Sequence, residues 1–194
     1  DWLSIIENSI AELSYEIMIA REKFIASINQ KLKAIKPPFN SCIIDMIHEL
    51  SNSSTNLQSP EFIEQYKNIL YSNRRIDSEL GRTTKTINKV KIDLYNNLQK
   101  ELEAKNCSTG EQKSILLSIF ISVANLVKQR NNGRSPIILI DEAMAHLDSD
   151  HKECLFKELA NLNSQVWFTG VSKDLFKNIN DQTDFFDMKN IIQL

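Results

Sequence analysis

A short apolar run that ends in two acidic residues constrains the fold of this chain most strongly. Ile137–Ile140 are all apolar, mostly β-branched, and Asp141 and Glu142 follow directly. Such a run is typical of a buried strand in a parallel sheet, and open α/β sheets place their ligand sites at the carboxyl ends of the strands. In a nucleotide hydrolase the first acid can hold Mg²⁺, directly or through water, and the second can polarise the attacking water. Many α/β proteins carry acids at a strand end without such a function.

The segments around this run alternate between helical and strand patterns. A strongly apolar helix is predicted from about Ser108 to Asn131, a second from about Ser149 to Asn161, and a further buried strand at Gln165–Thr169. Alternating helices and short apolar runs predict an α/β fold with a partly parallel sheet.

The first 80 residues predict helices. Pro37-Pro38 ends a first amphipathic helix, which is either a bundle helix or an arm of the coiled-coil type. Phe39–Leu50 fits a short strand or a helical turn, and Ser59-Pro60-Glu61 begins a helix that Gly81 ends near Leu80. The apolar stripe of the first helix comprises Leu3, Ile6, Ile10, Leu13, Ile17, Ala20, Phe24, Ile28, Leu32 and Ile35.

Composition indicates a cytoplasmic protein and excludes several other classes. The formal net charge of −2 gives no global signal for nucleic acid, so any DNA contact must come from a local patch. The cysteines, Cys42, Cys107 and Cys154, form no CxxC pair, which argues against a disulfide scaffold or a zinc site and favours a reducing compartment. No signal peptide is apparent, and the longest apolar stretch, Ile115–Val127, is too short to span a membrane.

The segment Ser108–Lys113 predicts a helix N-terminus with a possible anion site. Ser108 with Glu111, or Thr109 with Gln112, fits a capping box, and this alone explains the segment as a helix start. A helix N-terminus also offers free N–H groups to an anion, and Gly110 allows a phosphate to approach the backbone. Small residues at four-residue intervals behind it predict tight packing of this helix: Ser114, Ser118 and Ser122.

These motifs together resemble those of a known family. The chain resembles ABC-type ATPases in the order of three motifs, the signature motif (STGEQK before an apolar helix), Walker B and the D-loop (together IILIDEAMAHLD). The exact sequences, CSTGEQK and DEAMAHLD, resemble those of the RecF family. The resemblance covers residues 69–194 closely and the helical start more loosely. Two further runs agree with the family: Arg75, Asp77 and Gly81-Arg82-Thr83, and Phe168-Thr169-Gly170 with Phe176.

The resemblance implies the C-terminal lobe of an ABC-type ATPase head, with a partly parallel sheet, preceded by a helical arm or lid region. Residues 1–80 would form the arm or lid, residues 81–106 a basic linker that returns to the head, and residues 107–194 the ATPase lobe.

The resemblance also implies roles for individual residues. Asp141 would be the Mg²⁺-linked acid and Glu142 the catalytic base. The residues expected to contact the γ-phosphate of ATP bound to a second subunit are Ser108, Thr109, Gly110 and Gln112. The D-loop across the dimer interface would consist of Ala145, His146, Leu147 and Asp148, the last also a candidate for nucleotide contact.

A basic segment in residues 74–91 is the candidate DNA-facing patch, because phosphates attract local positive charge. A solvated helix end and linker explain the same charges without DNA. The basic residues are Arg74, Arg75, Arg82, Lys85, Lys89 and Lys91.

Three departures from the family pattern bear on activity. Thr86-Ile87-Asn88-Lys89 stands where RecF proteins carry a GPHR-like segment, and Thr169-Gly170-Val171 stands where TGT is usual. No GxxxxGK[ST] occurs in the chain, so the chain alone is expected not to hydrolyse ATP. Because it begins at Asp1 inside a helical pattern, we expect a fragment or one piece of a split protein.

The function implied is that of a RecF-like, ATP-dependent DNA-binding protein of DNA repair, recombination and replication, and of the SOS response. ATP and Mg²⁺ would be cofactors of the complete protein. Its partners would be DNA, a second copy of itself, the missing N-terminal P-loop half and other recombination-repair proteins. Two alternatives stay open: the head of another SMC-like ATPase, and a non-catalytic adaptor with a decayed ATPase lobe.

Overall fold

A computed structural model describes residues 1–48, 50, 59–97, 102–142, 147–176 and 183–188. The helices are α1 (Trp2–Leu32), α2 (Ser59–Leu80), α3 (Thr109–Arg130) and α4 (Ser149–Leu162), and the strands are β1 (Cys42–His48), β2 (Val90–Asn96), β3 (Ile138–Ile140) and β4 (Val166–Phe168). Ala104–Asn106 and Lys173–Phe176 are short 3₁₀ helices. The predicted helices and the predicted α/β class are confirmed. No helix in these ranges combines the length and hydrophobicity that crossing a membrane requires.

The chain folds into two compact units. Residues 1–30 and 42–106 form the first unit, and residues 31–41 and 107–194 form the second. The predicted arm and linker therefore share one compact unit, and the end of α1 belongs with the later part of the chain. The functional assignment of arm, linker and ATPase lobe stays a prediction.

The first unit is held together where α1 packs against α2. Ala11 and Met18 of α1 lie in one buried cluster with Phe62, Tyr66 and Leu70 of α2. α2 ends at Gly81, whose φ of +63° lies in the left-handed region that glycine adopts at low cost. The predicted stop of this helix is confirmed.

An antiparallel pair of strands completes the first unit. β1 pairs with β2 along its whole length, from Cys42 opposite Asn96 to His48 opposite Val90. The ambiguous segment Phe39–Leu50 thus contains a strand, and so does the segment predicted as a linker. The strand in the linker was missed although its sequence, VKIDLYN, alternates between apolar and polar residues from Val90 to Leu94, because the basic residues of the segment favoured an exposed linker.

The second unit contains the predicted parallel pair of strands. β3 pairs with β4 in parallel, with Ile138 opposite Val166 and Ile140 opposite Phe168. The inner face of this pair packs on α3 and α4 in one core cluster. Its buried members are Phe39, Ile121, Ala124, Ile138, Ile140, Leu155, Leu159, Leu162 and Phe176.

Within the described residues one face of the β3–β4 pair is buried, and the other is largely exposed, with Phe186 stacked on Trp167. The apolar run predicted a strand buried on both faces. Ile138 and Ile140 are buried, but Leu139 between them is 73% exposed, and Trp167 opposite it is 50% exposed. A continuous apolar run predicts that both faces of a strand are buried, but it does not identify the polypeptide that covers each face.

Candidate functional site

The two acids lie at the edge of the sheet that the sequence predicted. β3 ends at Ile140, and Asp141 and Glu142 follow it with exposed side chains. Glu142 has a φ of +49°, a left-handed conformation that is uncommon for residues other than glycine. The backbone therefore turns sharply at the second acid, directly after the buried strand.

Thr169 forms hydrogen bonds with both acidic residues. Its N–H donates to the carbonyl oxygen of Ile140 at 3.0 Å, which continues the parallel pairing one step beyond β4. Its hydroxyl donates to Oδ1 of Asp141 and accepts from the N–H of Glu142 at 3.1 Å. A hydroxyl has one proton and two lone pairs, so these two bonds are compatible.

Thr169 was missed as a site residue from the sequence, although a signal was available. Phe168 pairs with Ile140, so Thr169 and Asp141 occupy equivalent positions at the ends of neighbouring parallel strands. A register drawn from the two apolar runs would have placed the hydroxyl beside the acids.

The signature-like segment forms the N-terminus of α3, and the capping box uses Ser108 and Glu111. The hydroxyl of Ser108 accepts from the N–H of Glu111 at 3.3 Å, and the Glu111 carboxylate accepts from the N–H of Ser108 at 2.9 Å and from its hydroxyl at 2.7 Å. The hydrogen bonds from the side chain and then the backbone of Ser108 lower the pKa of Glu111. The alternative box of Thr109 with Gln112 does not form.

The surface at Gly110 is open. A Cβ atom built at this glycine would meet no atom of the chain within 4 Å. Thr109 beside it is exposed, and the amide of Gln112 donates to the carbonyl oxygen of Cys107 at 3.0 Å. The backbone at the start of α3 is therefore accessible to a large partner, while its flanking loop is held in place.

Serines fix α3 behind this surface. Ser114 is buried and its hydroxyl accepts from the N–H of Asn40 at 2.7 Å, while Ser118 donates to the carbonyl oxygen of Asn40 at 2.8 Å. Ser122 is also buried, but its hydroxyl has no hydrogen-bond partner within the described ranges. The predicted tight packing of the serine stripe is confirmed, and its binding partner is the segment that follows α1.

The D-loop candidates are described only in part. Ala145 and His146 lie outside the described residues, and Leu147 packs against the core of the second unit. Asp148 is the N-cap of α4 and accepts from the N–H of His151 and from its Nδ1, each at 2.9 Å. These bonds, the backbone one first, lower the pKa of Asp148. A nucleotide contact by Asp148 stays a prediction.

The basic residues proposed to face DNA differ in their surroundings. Arg74 donates to both carboxylate oxygens of Glu7, at 2.5 and 2.7 Å, and to Asp1 at 2.9 Å. Carboxylates of the first unit therefore neutralise most of its positive charge. Two others have acidic partners nearby, since Arg75 pairs with Glu79 at 3.1 Å and Lys91 with Asp93 at 2.7 Å.

The remaining basic residues lie in or next to an ordered loop after α2. Asp77 accepts from both the N–H and the hydroxyl of Thr84, at 2.9 and 2.6 Å, and Tyr66 donates to the carbonyl oxygen of Lys85 at 2.9 Å. These bonds fix the backbone that carries Arg82 and Lys85. A DNA contact by this loop stays a prediction.

The acid pair offers oxygen ligands of the kind that Mg²⁺ prefers, and a Mg²⁺ site here stays a prediction. Magnesium prefers oxygen ligands, and nucleotide sites usually bind it through one or two carboxylates, phosphate oxygens and water. Asp141 offers an exposed carboxylate, of which Oδ1 is bonded to Thr169. No group of three or more potential metal-ligating side chains occurs in the part of the chain that the structure describes. The residues present therefore fit Mg²⁺ brought with a nucleotide.

Comparison with known proteins confirms the resemblance predicted from the motifs. The chain is 29% identical over 191 residues to the DNA replication and repair protein RecF of Rhizobium johnstonii, and 30% identical over 186 residues to that of Mesorhizobium japonicum. Each match covers 95% of the chain but only 49% and 48% of the relative. The chain thus spans about half the length of these relatives and resembles their C-terminal part. No protein-family model matches it.

Solved structures agree on the fold. A structure described as the recombination mediator protein RecF with ATP in the RecFOR pathway matches 88% of the chain with a TM-score of 0.69 and 18% identity. A second, described as RecF-ATPrS, matches 90% with a TM-score of 0.67 and 20% identity. In each case 46% of the solved chain is covered, so this chain has the fold of about half of that protein.

Proposed function

We propose that this chain supplies the signature motif and the Walker B acids of a RecF-like, ATP-dependent DNA-binding protein of recombinational DNA repair and replication. In this proposal two copies of the complete protein enclose ATP between them. A P-loop region, absent from the 194 residues, supplies the remaining phosphate contacts of each copy.

One observation carries the proposal. Two exposed acids follow a buried strand, and a hydroxyl from the parallel neighbouring strand bonds to both of them. This arrangement belongs to the edge where open α/β sheets bind their ligands. Its sequence context, with a signature-like helix start in the same compact unit, supports an ATPase over other α/β functions.

The acids would divide the chemistry between them. Asp141 would hold Mg²⁺, directly or through water, and the ion would neutralise charge on the phosphates. Glu142 would accept a proton from the water that attacks the γ-phosphate. Because Glu142 is exposed in this chain, the closed dimer must exclude solvent around it before it can act as an efficient base.

The signature-like segment would act on the partner copy. Ser108 and Glu111 satisfy each other in the capping box, and Gly110 leaves open space above the first turn of α3. The N-terminus of a helix favours an anion there because of its free N–H groups and its dipole. The γ-phosphate of ATP bound to the other copy is the anion that we propose.

The test replaces the proposed base in the complete protein. Glu142→Gln should bind ATP nearly as well as the wild type but should lose turnover and accumulate as an ATP-bound dimer, because only proton transfer is removed. Glu153→Gln is the matched control, since Glu153 lies on the exposed surface of α4 and pairs with Lys157, four residues away, in a surface ion pair.

The outcomes separate the alternatives. Undiminished ATP turnover in Glu142→Gln would remove Glu142 from the mechanism. A wild-type protein that binds no ATP would instead favour the adaptor with a decayed ATPase lobe.

The isolated chain should bind Mg²⁺–ATP very weakly by calorimetry, and micromolar affinity would contradict the proposed division of the site between two regions of the protein.

A further inference from the structure

We infer that Thr169 is a positioning residue for the acid pair, holding Asp141 and Glu142 in the geometry that hydrolysis requires. The inference rests on the proposed function. It adds a third residue to the two acids, from a different strand, and gives that residue a distinct role.

The backbone of Thr169 is fixed before its side chain acts. Its N–H donates to the carbonyl oxygen of Ile140 at 3.0 Å, which ties it to the end of β3. On its other side, a Cβ atom at Gly170 would lie 2.9 Å from Cζ of Phe176, a side chain of the buried core. Close packing at Gly170 and pairing with Ile140 therefore hold Thr169 from both sides.

The hydroxyl then connects the acids to each other. It donates to Oδ1 of Asp141 and accepts from the N–H of Glu142 at 3.1 Å. The first bond selects one orientation of the Asp141 carboxylate and leaves Oδ2 as the oxygen available to an ion. The second holds the backbone of Glu142 in its left-handed conformation, with φ of +49°. Residues other than glycine keep such a conformation only where the surroundings stabilise it.

This role predicts a loss of rate rather than of nucleotide affinity. Residues that orient metal-binding or catalytic groups typically contribute about 10- to 100-fold in activity or metal affinity. In the proposed site the ion and the attacking water are held by the acids and not by Thr169, so its removal should lower kcat and leave KM for ATP nearly unchanged.

Two variants separate the hydroxyl from the shape of the side chain. Thr169→Val keeps the branched shape and removes both hydrogen bonds, whereas Thr169→Ser keeps the hydroxyl. In the complete protein, Thr169→Val should lower kcat for Mg²⁺–ATP by about 10- to 100-fold, and Thr169→Ser should stay close to the wild type. In the 194-residue chain, hydrogen exchange at the amide of Glu142 should lose protection in Thr169→Val and keep it in Thr169→Ser.

Amide exchange tests whether the hydrogen bond forms, and kcat tests whether that bond positions the acids. Unchanged protection of the Glu142 amide in Thr169→Val would show that the hydrogen bond does not form and would overturn the inference. A loss of protection with unchanged kcat would show that the hydroxyl does not position the acids, which also overturns it. A wild-type protein without ATP turnover would refute the proposed function itself, and the positioning role would fall with it.

Discussion

The hydroxyl of Ser118, in the middle of α3, donates a hydrogen bond of 2.8 Å to the carbonyl oxygen of Asn40. Ser114, one turn earlier, accepts from the N–H of the same asparagine at 2.7 Å. Both backbone groups of one residue are thus satisfied by the side chains of a helix. The segment after α1 is bound to α3 within two turns of the signature-like residues, and the helix start is fixed by this attachment.

Replacing Ser118 with alanine should therefore destabilise the second unit. The carbonyl oxygen of Asn40 would lose its partner in a partly buried site, at a cost of about 0.5–1.5 kcal/mol in the free energy of unfolding. Ser122→Ala is the matched control, because Ser122 is equally buried in the same stripe but its hydroxyl has no partner within the described ranges. That variant should be neutral or slightly stabilising. Urea unfolding of both variants would measure the difference, and equal midpoints would contradict the assigned role of Ser118.

Replacing Gly110 with tryptophan should block ATP-dependent dimerisation of the complete protein without unfolding it. A Cβ atom at this position meets no atom of its own chain within 4 Å, so the chain leaves room for a larger side chain, which would lie against the partner's nucleotide in the proposed dimer. Gln129→Trp places the same bulk on an exposed position near the other end of α3 and serves as the control. Light scattering with ATP should show monomers for the first variant and dimers for the control. Dimers in both would remove Gly110 from the interface.

The caps of α3 and α4 should lose stability as the pH falls. Hydrogen bonds lower the pKa of Glu111 and of Asp148 below their ordinary values in the folded chain. A carboxylate with a depressed folded-state pKa contributes stability above its unfolded pKa, about 4.3 for Glu and 3.9 for Asp, and this is lost as the pH falls through the folded-state value. Glu111→Gln retains the cap but does not titrate, so thermal unfolding of this variant should depend less on pH below about 5. An unchanged pH dependence would refute the contribution of Glu111.

The basic residues should separate into two groups when replaced by alanine. Arg74→Ala should lower the thermal stability of the first unit, because Glu7 loses the partner that lowers its pKa. Arg82→Ala should leave stability unchanged and weaken DNA binding by the complete protein. It should also lower the salt dependence of the affinity by about one unit of slope, because one DNA phosphate would no longer be neutralised. Fluorescence anisotropy at several salt concentrations would measure this. Unaltered affinity would favour the solvated-loop interpretation.

Prediction from sequence succeeded where local pattern and chemistry agreed. The acids after β3, the capping box at Ser108 and the stop at Gly81 all depend on interactions within a few residues, which the sequence displays directly. The parallel pairing of β3 with β4 was also predicted, from two short apolar runs. The first three features needed no knowledge of distant contacts.

It failed where packing depends on distant partners. The predicted stripe of α1 included Leu13 and Ile17, which are 57% and 40% exposed, while Ala11 and Ser14 are buried. A search for bulky apolar residues overlooks an interface in which small residues of one helix receive aromatic rings from another. Likewise, nothing near Arg74 in sequence indicated that Glu7, 67 residues earlier, would be its partner.

The exposed face of the β3–β4 pair gives the chain a built-in optical reporter. Trp167, with half of its surface in solvent, lies directly opposite Leu139 on that face. A polypeptide that packs across Leu139 and its neighbouring strand would also bury this indole ring, which stacks on Phe186, and an indole that leaves water emits at shorter wavelength. Replacing Trp2, which is 71% exposed, with phenylalanine would leave Trp167 as the single tryptophan. The wavelength of its maximum emission would then show whether another polypeptide covers the exposed face of the sheet.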